Sequence, residues 1–218
     1  MDWLALQLSD AAFPAGGFAH SGGLEAAAQL DEMAPPALAG FVEASLWQAG
    51  FAALPAVAAA HDDPRAIRAV EAAYDAFMVN EVANRASRTQ GRAFVATAAR
   101  VFDEEPVAAL AAAVAARSLP GHHAPVFGAT LRALDVARDD TRALFLHLSL
   151  RGTLSAAIRL GLTGPHEAQR IQRAMAPVLG RVLDATRTAT IDDLAHAAPV
   201  LDLVGALHDR LHVRLFQS

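Results

Sequence analysis

Apolar side chains return every three or four positions along nearly the whole chain, the spacing that lines one face of an α-helix. Read with the capping and breaking residues, this spacing predicts helices over 23–32, 36–53, 64–79, 80–102, 105–117, 125–137, 140–161, 166–184 and 191–213. Prolines, glycines and aspartates separate them at 31–36, 62–64, 118–125 and 162–165, connections too short to be flexible interdomain linkers. The pattern predicts an all-α, single-domain helical bundle over 1–218 with about nine to ten helices. Pro177 falls inside one of them and should kink or split it.

Two helices carry patterns beyond a simple core face. In the last one, Val200, Val204, Leu207, Leu211 and Leu215 step by four, three, four and four, which predicts one continuous apolar stripe. It runs into Arg214, Leu215, Phe216, Gln217 and Ser218, so a large aromatic stands near the end of the sequence, where exposed apolar groups commonly belong to a contact. That stripe packs either on its own core or on a partner. In the helix from Asn80, Glu81, Arg85, Arg88 and Arg92 share a side, with Glu81 placed to pair with Arg85, while Ala86, Ala93, Phe94 and Val101 suggest a packed side. The charged side is either a solvated stripe or an arginine-rich docking face.

Before the first predicted helix the periodicity fails, and residues 9–25 read SDAAFPAGGFAHSGGLE. Gly16, Gly17, Gly22 and Gly23 permit positive φ and close backbone approach, and Pro14 holds its own φ and biases Phe13 away from helix. Phe13 and Phe18 are anchors that a flexible linker would not need, so the segment should be an ordered loop packed on something. Ser21 or Gly22 can cap the helix that follows, with Glu25 in its first turn.

Composition sharpens this picture. Hydrophobic residues make up 54% and aromatics 6%, and all 18 basic residues are arginine, which favours helix over strand. A net charge of -5 and a pI near 6.0 argue against a nucleic-acid binder. The absence of cysteine removes disulfides, thiolate metal sites and a cysteine nucleophile, leaving histidine and carboxylate as the strong metal ligands. Asp2 stands where a signal peptide would be basic, and no apolar stretch reaches the roughly 18 uninterrupted residues of a membrane span. A soluble cytoplasmic protein without membrane contact is the expectation.

Four candidate chemistries follow from the polar residues. Gly17 to Gly22 has phosphate-loop spacing, but Gly23 and Leu24 stand where lysine and a hydroxyl residue are required. His208 and His212, four apart on the predicted helix with Asp209 between, approach the H-E-x-x-H zinc signature, without a third ligand recognisable by spacing. His122 and His123 are adjacent in a loop and would need ligands from elsewhere to hold a metal. His20 and Ser21 could begin a hydrolase site, yet no nucleophile elbow or orienting acid accompanies them, and a hydrogen-bonded His20 that holds the loop is the alternative.

The same residues resemble the signature of the urease accessory protein family UreF. Ser9, Asp10, Phe13, Pro14, Gly16 or Gly17, Phe18, His20, Ser21, Gly23, Leu24 and Glu25 fit its N-terminal motif. The similarity continues through Glu81, Arg85, Ala86, Ser87 and Gly91, through HAPVFG at 123–128, through Ala157, Arg159, Leu160 and Gly161, and Gln169, to the closing RLFQS. This resemblance implies a non-enzymatic, all-helical cytoplasmic chaperone that forms a homodimer. It also implies that the chain binds UreD (UreH) and offers a platform to the GTPase UreG, so that the complex delivers nickel to apo-urease. It implies no catalytic residue and no tightly bound cofactor, nickel instead passing through the assembled complex. The residues it marks for partner binding or signature are Asp10, Phe13, Pro14, Gly16, Phe18, His20, Ser21, Glu25, Glu81, Arg85, Ser87, Arg214, Leu215 and Phe216. His20, His208 and His212 are the residues that could touch a metal. A histidine-based metal hydrolase, and a stand-alone GTPase regulator with Arg85 as its finger, are the alternative functions.

Overall fold

The computed structural model describes residues 3–30 and 35–218, and among these every regular element is helical. In chain order the α-helices are α1 Trp3–Ser9, α2 Leu24–Leu30, α3 Pro35–Ala52, α4 Leu54–Asp62, α5 Ile67–Phe77, α6 Glu81–Val101, α7 Glu105–Ala115, α8 His123–Ala133, α9 Arg138–Arg159, α10 Pro165–Ala174, α11 Ala176–Ala185 and α12 Pro199–Ala206. The predicted class is correct, and the helices outnumber the nine to ten expected because the chain breaks more often than its periodicity does. The end of the helix expected over 23–32 and most of the connection expected at 31–36 lie outside the described residues.

Two departures from the expected elements have local physical causes. The apolar run 37–62 is long and apolar enough by length and composition to cross a membrane, although Glu43 and Gln48 interrupt it. The chain leaves helical geometry at Ala53, and Pro55, placed in the first turn where a missing N–H is harmless, starts the unforeseen α4. Leu54, Ala56, Val57, Ala58 and Ala60 are all buried there, and α4 lies against α8 and α9. Pro177 does split its predicted helix, standing in the first turn of α11.

The helix expected over 191–213 is instead a short turn at Ile191–Asp193, the helix α12, a second turn at His208–Arg210 and an extended segment to Ser218. Pro199 sets the start of α12, and Gln48 ties that start down by accepting the Ala198 N–H at 2.7 Å and donating to Asp202 at 2.9 Å. The stripe from Val200 to Leu215 is therefore no single helical face: Val200 and Leu215 are exposed, and Phe216, whose place on core or partner the sequence left open, is only 5% exposed and lies in the core.

The buried side chains form one contiguous cluster with α8 at its centre, Ala124 through Leu131 all being buried. A Cβ at Gly128 would come within 2.1 Å of the Val57 carbonyl oxygen, so the α4–α8 crossing requires glycine there. Beside it, Phe94, Phe127, Phe145 and His123 pack ring against ring, with centroids 5.1–5.8 Å apart.

Candidate functional site

The irregular loop 9–25 is ordered, and the elements around it explain why. Asp10 accepts the Ala12 N–H at 2.8 Å to make a local turn. Phe13 stacks on Phe102 and tilts against Phe94, and Thr97 of α6 donates to the Pro14 carbonyl at 3.0 Å. Gly16, Gly22 and Gly23 take positive φ, whereas Gly17 does not and begins a short turn, Gly17–Ala19. At Gly23 the conformation and the packing coincide, since φ is +86° and a Cβ would meet the Gly205 backbone of α12 at 3.3 Å.

The loop's polar groups are spent on the last residues of the sequence. Ser21 donates to the Ser218 carbonyl from both its amide at 2.6 Å and its hydroxyl at 2.9 Å. Gln217 donates its N–H to the Ala19 carbonyl at 2.8 Å, and His20 Nδ1 meets the Ser218 hydroxyl at 2.7 Å. One turn on, the buried Glu25 accepts the amides of Leu215 at 2.6 Å and Phe216 at 3.1 Å, and lies 3.0 Å from His208 Nε2. Burial pushes the Glu25 carboxyl up, but the Leu215 amide, His208 and the Phe216 amide outweigh it and hold it below the usual range. Above this seam the Arg159 guanidinium lies between two rings, 3.6 Å from the Phe18 centroid and 4.3 Å from that of Phe216.

The seam brings together most of the signature. Arg85 does not turn to Glu81: one of its nitrogens reaches both oxygens of Asp209, at 2.9 and 2.7 Å, and Arg214 approaches the same carboxylate at 3.6 Å. Glu81 opens α6 behind Asn80, whose side-chain Oδ1 accepts the Val82 and Ala83 amides as a cap. Arg88 and Arg92 diverge, to Asp75 and to the Pro120 carbonyl, so the arginine side of α6 serves three separate neighbours. Ser87 belongs to a second cluster. It accepts the His123 N–H at 3.2 Å and meets His122 Nδ1 at 3.1 Å, while His122 Nε2 lies 3.0 Å from Asp75. The bond to His122 holds Asp75 well below the ordinary range. Next to it the buried Glu71 accepts the amides of Gly121 and His122, yet desolvation outweighs these and raises its carboxyl to about 7.

Loop, α3, α6, α9 and α12 line an open cleft of about 850 Å³. His20 and His123 both line it. Burial keeps both neutral, His123 being lowered to about 4, and His20 Nε2 is buried without a hydrogen-bond partner.

The structure corrects the zinc-like reading of His208 and His212. The helix ends at Ala206, so the two do not share a helical face; His208 is wholly buried against Glu25 and His212 is exposed. Among the described residues no group of three His, Asp or Glu could hold a metal ion. His20 and Ser21 do not face each other as base and nucleophile, because both are turned to Ser218. The sequence reading missed Asp209 as the meeting point of Arg85 and Arg214, and gave Arg159 no role. The signal for Arg159 was present in its place within a matched motif; that for Asp209 needed the fold.

The UreF family model matches residues 34–176. Over the whole of this chain, Urease accessory protein F of Arabidopsis thaliana is 34% identical, with 93% of its own length covered. Urease accessory protein F of Oryza sativa subsp. indica is 33% identical over 98% of this chain and 84% of its own, and Urease accessory protein UreF of Rhodopseudomonas palustris (strain BisB5) is 32% identical over 100% and 89%. The alignments with these relatives span 98–100% of this chain, whereas the family model's match leaves out the loop and the closing segment.

Proposed function

Since the chain belongs to the UreF family of urease accessory proteins, we propose that it serves urease maturation as a scaffold: with UreD (UreH) it recruits the GTPase UreG and supports GTP-dependent nickel insertion into apo-urease. In this reading the protein is a cytoplasmic, non-catalytic homodimer, and nickel is cargo of the assembly, with no tight resident site in this chain.

The observation that carries the reading is the seam itself. A loop with a histidine, serines and a buried glutamate uses those groups to fasten the closing segment, leaving an outward surface fixed in shape. That surface exposes Phe18, Leu203, Val213 and Leu215, each more than half exposed, beside the Arg85–Asp209–Arg214 ion cluster. A rigid apolar patch with a charged rim is the composition of a protein-binding surface.

The reading is tested by co-expressing the chain with its matching UreD (UreH) and UreG and measuring nickel-dependent urease activation in cells. Co-purification with UreD (UreH), and activation lost when the chain is omitted, is the expected result. Absence of any complex under mild conditions, with activation unchanged, would overturn it.

A further inference from the structure

On the far side of Phe18 from the seam lies a second concavity, between α9 and α10. It has a volume of about 290 Å³, at the lower end for a small-molecule pocket but enough for a few side chains. Its wall is unusual in three respects. Phe18 is 70% exposed and held rigidly, its ring under the Arg159 guanidinium and its carbonyl bonded by Arg159 Nη1 at 2.5 Å. Ile158, 38% exposed, adds an aliphatic surface beside it. Arg151 and Arg159, two helical turns apart on α9, bond only backbone carbonyls, those of Ser9 and Phe18, and among the described residues neither has a carboxylate partner. Across from them α10 contributes Gln169 and Gln172, whose amides bond only each other, at 3.4 Å, and can exchange that bond for a peptide group. In a chain of net charge -5, the groove thus collects two guanidiniums and no carboxylate.

We propose that this groove takes a short acidic and apolar segment of a partner protein, its carboxylates meeting Arg151 and Arg159 and its apolar side chain packing on Phe18 and Ile158. Charge complementarity and a rigid aromatic with a stacked arginine supply the two kinds of contact that dominate protein interfaces. Two guanidiniums on an acidic protein are too few to track a nucleic-acid backbone or an anionic bilayer. The proposal names a partner chemistry for a scaffold and in that sense rests on the scaffold reading.

The experiment uses a fluorescein-labelled peptide GLDELG and its neutral control GLNQLG, with fluorescence anisotropy on the intact chain and amide NMR shifts to locate binding. The acidic peptide should bind, with shifts at Phe18, Ile158, Gln169 and Gln172; the neutral one should bind at least about tenfold more weakly, and salt should weaken the difference. Gln172→Glu, a change at a half-buried polar position that leaves the seam untouched, should reduce acidic-peptide binding about tenfold, and Phe18→Ala should reduce it too, both with unchanged circular dichroism. Equal binding of the two peptides, binding of neither, no effect of Gln172→Glu, or binding of phosphatidylserine vesicles in place of the peptide would each overturn the proposal. Co-purification with UreD (UreH) alongside failed peptide binding would remove the groove and leave the scaffold; the reverse result would do the opposite.

Discussion

Glu25 shows how much one side chain can organise. Its two oxygens take two backbone amides and a histidine from residues 183 to 191 positions away, in a site from which water is excluded. Glu25→Ala strands those donors, and a loss of about 2–4 kcal/mol in urea unfolding is expected. Because its folded pKa is depressed, its contribution is present above the unfolded value of 4.5 and fades as pH falls through the folded one. Glu71 has the opposite sign. Its folded pKa of about 7 lies above 4.5, so the folded state holds the proton more tightly, and that advantage is complete below 4.5 and lost as pH rises to 7. Stability of the native chain should decline between pH 5 and 7.5 by up to ~3 kcal/mol from this group, and Glu71→Gln should flatten the slope; an unchanged slope in chemical denaturation at four pH values would contradict the assignment.

At the scale of elements, one proline was a legible signal, Pro55 and Pro199 went unread, and the last helix was the illegible one. Pro177 announced a break and delivered it, because a missing N–H and a fixed φ act locally whatever surrounds them. The stripe Val200 to Leu215 has helical spacing, yet the chain turns out after Ala206 so that His208 can reach Glu25 and Phe216 can enter the core, a tertiary preference that spacing cannot express. The loop was legible as ordered from its glycines and Phe13, whereas Phe18, expected as a second packed anchor, is 70% exposed under Arg159; the loop's occupant, the closing segment, lay too far along the sequence to be read. Two consequences can be measured. Phe216→Ala, which empties a core position, should cost about 3–5 kcal/mol and lower the melting temperature by roughly 10 °C in calorimetry, contrary to what an exposed aromatic would do. Gly128→Ala forces a Cβ onto the Val57 carbonyl, and a loss of at least about 2 kcal/mol is expected from separation of α4 and α8.

Over the whole molecule, alanine-rich helices and glycine contacts let elements approach closely around a modest set of aromatics, and the side chains with the most chemistry hold the frame together. Asp75, His122 and Ser87 brace α5, α6 and α8, and His20 and Ser21 brace the two ends of the sequence. Most of the polar groups at these two braces are bonded internally, His20 Nε2 and His208 Nδ1 excepted, and the exterior presents apolar residues framed by arginine and aspartate.

The seam between Ser21 and Ser218 spans 197 residues of sequence. During synthesis at about 5–20 residues per second, the signature loop therefore waits roughly 10–40 s for the segment that completes it. Until residues 208–218 clear the ribosome, Glu25 and Ser21 lack the partners they take from that segment. A nascent chain thus displays an unfinished loop, and a truncated product never finishes it. The surface around the seam therefore takes its shape only after residues 208–218 have been made, although the loop they fasten is among the first segments to emerge.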